Sequence, residues 1–220
     1  MDTQILVEGP EKGPDKGFLT KLIAQKSLLT GNVFEIDTQE KFHPEDKNCS
    51  IEEVLKYLSN IHKNRHITNK EIRIKNLLII VDADQNVGER FKKIVSILKK
   101  NSIYFSIPSR AGEVKKEEGK INVGVFLFPN NHNKGSLESL IWNCLDGGLA
   151  IKKSCIENYI NCLKKNSIDD GMTVNNVEKA KVRIMAATPK PHRAVDSLIN
   201  LIDFQSETLE GLTRFLREVS

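Results

Sequence analysis

The sequence predicts an α/β fold built on a central, mostly parallel sheet. Three observations carry that expectation. Short apolar runs alternate with segments whose apolar residues recur every three or four positions, the order of strands and helices expected of parallel pairing. The run Leu77-Leu-Ile-Ile-Val81 is apolar at every position, as suits a strand covered on both faces. From Ser136 onward the pattern is almost wholly helical, which predicts a C-terminal helical extension packed on the sheet.

Taken in order, Gln4 to Val7 reads as a first strand that breaks at Glu8-Gly9-Pro10, and Lys16 to Leu29 carries Phe18, Leu19, Leu22, Ile23 and Leu28 at helical spacing. Asn32 to Asp37 reads as a second strand. A polar loop with His43 and Pro44 follows, and Ser50 opens a helix with Glu53 three residues on, a capping box. The central strand 77–81 ends in Asp82-Ala-Asp84, and a helix from Gly88 to Lys100 places Phe91, Ile94, Val95 and Leu98 on one side. Strands at 103–107 and 121–128 flank a charged loop, Arg110 to Lys120, read as a solvated turn. Helices are expected over 137–145, 151–164, 177–187, 195–202 and 208–219. The boundary falls near Gly147-Gly148, dividing an α/β domain at 1–146 from the extension at 147–220.

At 220 residues the chain is long enough for one well-buried core. Its 39% hydrophobic and 28% charged residues are ordinary for a folded globular protein, which excludes a disordered chain. No apolar run approaches the roughly 20 residues that span a bilayer, and acids stand where a signal peptide carries a basic region, so a cytoplasmic protein with no membrane partner is expected. The net charge of +4 describes a mixed surface and by itself names no partner. Cys49, Cys144, Cys155 and Cys162 form no Cys-x-x-Cys pair; Cys155 and Cys162 lie seven apart on one helical face and are expected as reduced core thiols.

The residues that suggest chemistry are acids. Asp82 and Asp84 alternate in an extended segment and so point to the same side, at the carboxyl end of a central parallel strand, where α/β sheets place their crevices. Two adjacent carboxylates repel unless a cation compensates. Mg²⁺ (or Mn²⁺) suits the position because it accepts one or two carboxylates and takes phosphate oxygens as further ligands. Glu8 falls at the same end of the first strand, so three acids can converge from two strands, and Gly9 beside it permits close approach of backbone or ligand. Taken singly, each acid is as well explained by helix capping or solvation.

Val7-Glu8-Gly9 after an apolar strand, Asp15 before an amphipathic helix, and LIIVDAD ending in Asp82 and Asp84 together resemble the Toprim domain of topoisomerases, bacterial primases and OLD-type nucleases. A closer similarity is to a compact, stand-alone Toprim-related group, carried by GVFLFPNN (124–131), Gly135-Ser-Leu-Glu138 and the helix with Lys179-Ala-Lys-Val, over nearly the whole chain. The loop between Glu8-Gly9 and Asp15 is longer than is usual in that domain. The resemblance implies a Toprim-like, Rossmann-like sandwich. It further implies a Glu8 that acts as general acid or base and an Asp82 and Asp84 that hold Mg²⁺ for phosphodiester hydrolysis. By the same resemblance the chain is the nuclease effector of a two-component antiviral defence system with a separate ATPase partner. The resemblance implies nucleic acid, DNA foremost, as the substrate, and a homo-oligomer is compatible with it.

A second metal would want a further acid, for which Glu138 is the candidate; Ser136 capping that helix explains it equally well. In nuclease relatives a late lysine serves the site, and Lys181 and Lys190 are the candidates here. Asn130 and Lys134, between a strand and a helix, can touch a phosphate or simply form a turn. His62 and His66 have a ligand spacing but lack the Glu of His-Glu-x-x-His. Trp142 is expected in the core. With only Tyr57, Tyr104 and Tyr159, and no gating domains, strand passage is not expected. Two other readings stand beside hydrolysis: a non-catalytic Toprim-like module that binds nucleic acid or a partner, and an Asp-x-Asp nucleotide-sugar transferase, which leaves Glu8-Gly9 unexplained.

Overall fold

The structure, a computed structural model, describes residues 2–38, 41, 50–56, 74–100, 103–145, 147–166, 174–187 and 195–220. Its strands are β1 (Thr3–Val7), β2 (Phe34–Thr38), β3 (Asn76–Asp82), β4 (Val114–Lys115) and β5 (Asn122–Phe128). They form one five-stranded sheet in the order β2-β1-β3-β5-β4, parallel except for the β4 edge. The fully apolar run is the middle strand, as a strand buried on both faces must be. The helices are α1 (Pro14–Gln25), α2 (Val87–Lys99), α3 (Leu137–Asn143), α4 (Ala150–Lys165), α5 (Val174–Ala187) and α6 (Glu210–Arg217), with residues 51–56 also helical.

Strand alternation divides the core in two. Ile5, Val7, Leu78, Ile80, Phe126 and Phe128 face α1, α3, α5 and α6; Leu6, Leu77, Ile79, Val81, Val125 and Leu127 face α2 and the helical segment 51–56. The helices after residue 147 contribute Val182, Met185, Leu212 and Phe215 to the first cluster, so they cover one face of the sheet. Gly124 makes room for that cover: a Cβ there would stand 2.8 Å from the Phe215 ring.

Several elements differ from expectation. α1 ends at Gln25, four residues early, because Ser27 and Leu29 adopt left-handed conformations that fold Leu28 and Leu29 back into the core. Residues 103–107 make only one bridge, Phe105 to Ile121, while the charged loop hides β4, whose Val114 is buried on β5. The segment 195–202 is a 3₁₀ helix, Val195–Leu201, that lays Leu198 and Ile199 against α1. Its end is tied down where the Asp203 amide donates to the Cys144 carbonyl at 2.7 Å. Cys155 and Cys162 are exposed, because α4 buries the face of Ile156 and Ile160 instead; Cys144 is buried. Cys49, His43, Pro44, Tyr57, His62, His66 and Lys190 lie outside the described residues. Among those described, no helix is long and apolar enough to cross a membrane.

Candidate active site

β1 and β3 are parallel neighbours, but the chain leaves β1 toward β2 on one side and returns to β3 on the other. The strand order therefore reverses between them, and in such sheets a crevice opens at the carboxyl ends of the two strands. Glu8 follows β1 and Asp82 ends β3 at that point. The Asp82 amide donates to Glu8 Oε2 at 3.0 Å, so the main chain of one strand holds the acid of the next. Asp82 Oδ1 accepts the Leu137 amide at 2.9 Å, at the start of α3.

Asp84 comes to the crevice by a different route from the one alternation suggests. The strand stops at Asp82, and Asp84 takes a left-handed conformation (φ 54°), one that Asp tolerates better than most residues. Its amide and carbonyl both pair with Gly135 at 3.0 Å, which joins the end of β3 to the loop before α3. That junction delivers Glu138. Its carboxylate accepts from the Ser136 hydroxyl at 2.7 Å while its charge also bears on Asp15 and Asp82, so the helix-start role and the crevice role coexist.

Asp15 sits in the first turn of α1, after Pro10 to Gly13 fold into a tight turn. Gly9 has φ 89°, a backbone conformation that glycine supplies without strain, and it lies beside the Asp15 carboxylate, where a Cβ would stand 3.4 Å from Oδ2. Glu8, Asp15, Asp82 and Glu138 are half-buried, and Asp84 is exposed. Burial pushes Asp15 up from 3.8 to about 7, aided by the charges of Glu138 and Glu8. Burial, with Glu8, Asp15 and Glu138, pushes Asp82 to about 8. Glu8 is raised too, by burial above all and by Asp84 and Glu52, against the opposing pull of Arg90.

Arg90 is what the sequence reading missed. Its Nη2 pairs with Glu8 Oε1 and its Nη1 with Glu52 Oε1 at 2.9 Å, while Lys93 Nζ reaches the same Glu52 oxygen at 3.0 Å. Burial pushes Glu52 up, but Lys93 and Arg90 outweigh it and hold the carboxyl below its ordinary value. The available signal was positional. Asn86 caps α2 by accepting the Glu89 amide at 3.1 Å, which leaves Arg90 near a helix start, where the macrodipole disfavours a cation. Glu52 was likewise the one of two adjacent glutamates that the capping box, formed by Ser50 and Glu53, left unexplained. Replacing Arg90 with Gln should lower stability by about 2–4 kcal/mol, because half-buried Glu8 loses its ion-pair partner and buried Glu52 keeps only Lys93. Adding Glu8→Gln should recover part of that loss in urea titrations, and strictly additive effects would show that the pair is not coupled.

The other candidates are placed as follows. Lys181 pairs with Glu178 at 2.9 Å and lies over the Trp142 ring, which is buried with Nε1 donating to Glu157 at 3.1 Å. Lys179, two positions earlier and so on another side of α5, is the lysine whose charge lowers Asp15. Asn130 Oδ1 accepts the amides of His132 and Asn133, forming the turn, and Lys134 is exposed.

Among the described residues no three acid, His or Cys side chains enclose an ion as they stand. Glu8 and Asp82 are each turned to protein donors. The donor set nevertheless fits a hard divalent cation: oxygen ligands only, and several half-buried carboxylates whose mutual repulsion the arginine offsets only in part.

The family described as "Protein of unknown function (DUF3226)" matches residues 2–220. The chain belongs to that family. No curated protein and no solved structure matches it. For this DUF3226 member the site itself is therefore the ground for any functional reading.

Proposed function

We propose that this protein is a Toprim-like, Mg²⁺- or Mn²⁺-dependent nuclease that hydrolyses phosphodiester bonds, with DNA as the foremost substrate. The observation that carries the reading is the convergence of Glu8, Asp15, Asp82, Asp84 and Glu138 at the switch point between β1 and β3. Asp82, Asp84 and Glu8 would hold the ion, with Glu138 as a further ligand. Bound there, a divalent ion supplies charge neutralisation at a phosphoryl group and acidifies water.

The chain's own groups divide the remaining work. Glu8 is held by the Asp82 amide on one oxygen and Arg90 on the other, so its orientation is set before substrate arrives, and burial raises its proton affinity, as suits a carboxylate that accepts and returns a proton. Lys179, whose charge bears on Asp15, would offer positive charge to a phosphate bound beside the acids. In the reading as a two-component defence effector, an ATPase encoded elsewhere would gate access to this crevice.

One observation favours a second reading. Glu8 already has a full partner in Arg90, an arrangement a non-catalytic module would also keep. Incubating the protein with plasmid, linear and single-stranded DNA and with RNA, in Mg²⁺, Mn²⁺ or EDTA, with and without an ATPase encoded beside it, separates the two. Cleavage that EDTA abolishes is expected. A protein that binds these polymers but leaves them intact in every metal would establish the second reading.

A further inference from the structure

We infer that the groove between α2 and residues 107–109 is a track for single-stranded nucleic acid leading away from the acid crevice. The inference rests on the nuclease reading and adds the form of its substrate. The groove has a volume of about 730 Å³, with Phe91, Val95, Ile107 and Pro108 as an apolar floor and Lys92 and Lys99 on its rim. Phe91, the groove residue nearest the start of α2, is next in sequence to Arg90, whose guanidinium holds Glu8.

Charge selects the occupant. Lys92 and Lys99 are exposed, and among the described residues neither forms an ion pair, whereas the intervening Lys93 is committed to Glu52. They lie seven positions apart on one helix face, about 10 Å along its axis, so they can contact successive parts of one polyanion. The hydroxyls of the groove are already used: Ser96 donates to the Lys93 carbonyl at 2.7 Å and Ser109 to Glu113 at 2.6 Å. The nearby acids are Glu113, held by Ser109, and the exposed Glu89, three positions before Lys92 on α2. Two uncommitted cations beside an apolar floor with one aromatic ring match a single strand, whose phosphates meet the lysines and whose unstacked bases meet Phe91. A duplex keeps its bases inside and has no use for the floor.

Fluorescence anisotropy of the full chain in EDTA tests this, with labelled oligothymidylate, a duplex of the same length and a glutamate-rich peptide as probes. Wild type should bind the single strand more tightly than the duplex. Lys92→Glu with Lys99→Glu should weaken that binding at least tenfold and reduce the slope of log K against log salt by about 1.4, two phosphate contacts' worth. Phe91→Leu, which preserves the core packing, should cost roughly fivefold by loss of stacking. Unchanged affinity and slope in the lysine variant would overturn the groove and leave the nuclease reading intact. Preference for the duplex or the peptide would overturn it as well. Absence of all oligonucleotide binding, with melting still shifted by metal, would overturn both the groove and the nucleic-acid substrate while sparing the ion site.

Discussion

Asp82→Asn should abolish cleavage, by at least a hundredfold, and at the same time make the metal-free protein more stable at pH 8. The two effects have one cause. Asp82 is held among Glu8, Asp15 and Glu138 in a half-buried crevice, and its ionisation is opposed by burial first and by those charges second. Asparagine keeps an oxygen to accept the Leu137 amide at the head of α3, so the local structure survives while one repelling charge disappears. Solvent at the crevice mouth screens part of the repulsion, and a gain of about 1–2 kcal/mol in urea unfolding is expected. Glu8→Gln should be equally inactive but not more stable, because it also breaks the pair with Arg90. Activity retained in both variants would refute the mechanism. Inactivity accompanied by a marked loss of stability in Asp82→Asn would mean that the carboxylate holds the fold rather than a ligand.

The second large effect concerns pH and metal together. In the unfolded chain Asp15 and Asp82 lose their protons near the ordinary value of 3.8, whereas in the folded protein they do so near 7 and 8. Between those limits these two groups bind more protons in the folded state, so their contribution to stability is highest in acid and declines as pH rises from about 4 to about 8. After screening, a change of about 2 kcal/mol remains, and a chain of this size loses roughly 2–4 °C per kcal/mol, so Tm should fall by roughly 5 °C. Asp15→Asn with Asp82→Asn should remove that part of the profile. Divalent metal should reverse the trend, since an ion binds the ionised carboxylates of the folded state only: Mg²⁺ or Mn²⁺ at a hundred times Kd adds about 2.7 kcal/mol, more visibly at pH 8 than at pH 6. A Tm insensitive to millimolar metal across that range would remove the ion from the proposal.

The parts of the site that were legible in the sequence are those that follow from strand order. An unbroken apolar run followed by an acid identifies the end of a central strand, and the first strand's Glu8 reaches the same edge because parallel neighbours end together. Asp84 shows the limit of that logic: alternation predicted its side, but the chain turns through a left-handed residue and reaches the crevice by pairing with Gly135. Lys181 and Lys179 differ by two positions on one helix, and periodicity alone does not say which side meets Asp15 until α5 is packed. β4 was hidden because two residues with one buried valine make no period.

The sequence by itself determined four strands of the sheet, the central one among them, the helical character of the C-terminal third and the presence of acids at strand ends, because these depend on local periodicity and on burial along a single segment. Only the tertiary structure decided that Asp15 and Glu138 join Glu8 and Asp82, that Arg90 bridges Glu8 and Glu52, and that Lys92 and Lys99 border an apolar groove. Those relations join residues up to 123 positions apart, from Asp15 to Glu138. They are fixed by which faces pack together, and proton affinities and ion pairs arise only once burial has removed the water that would otherwise screen them.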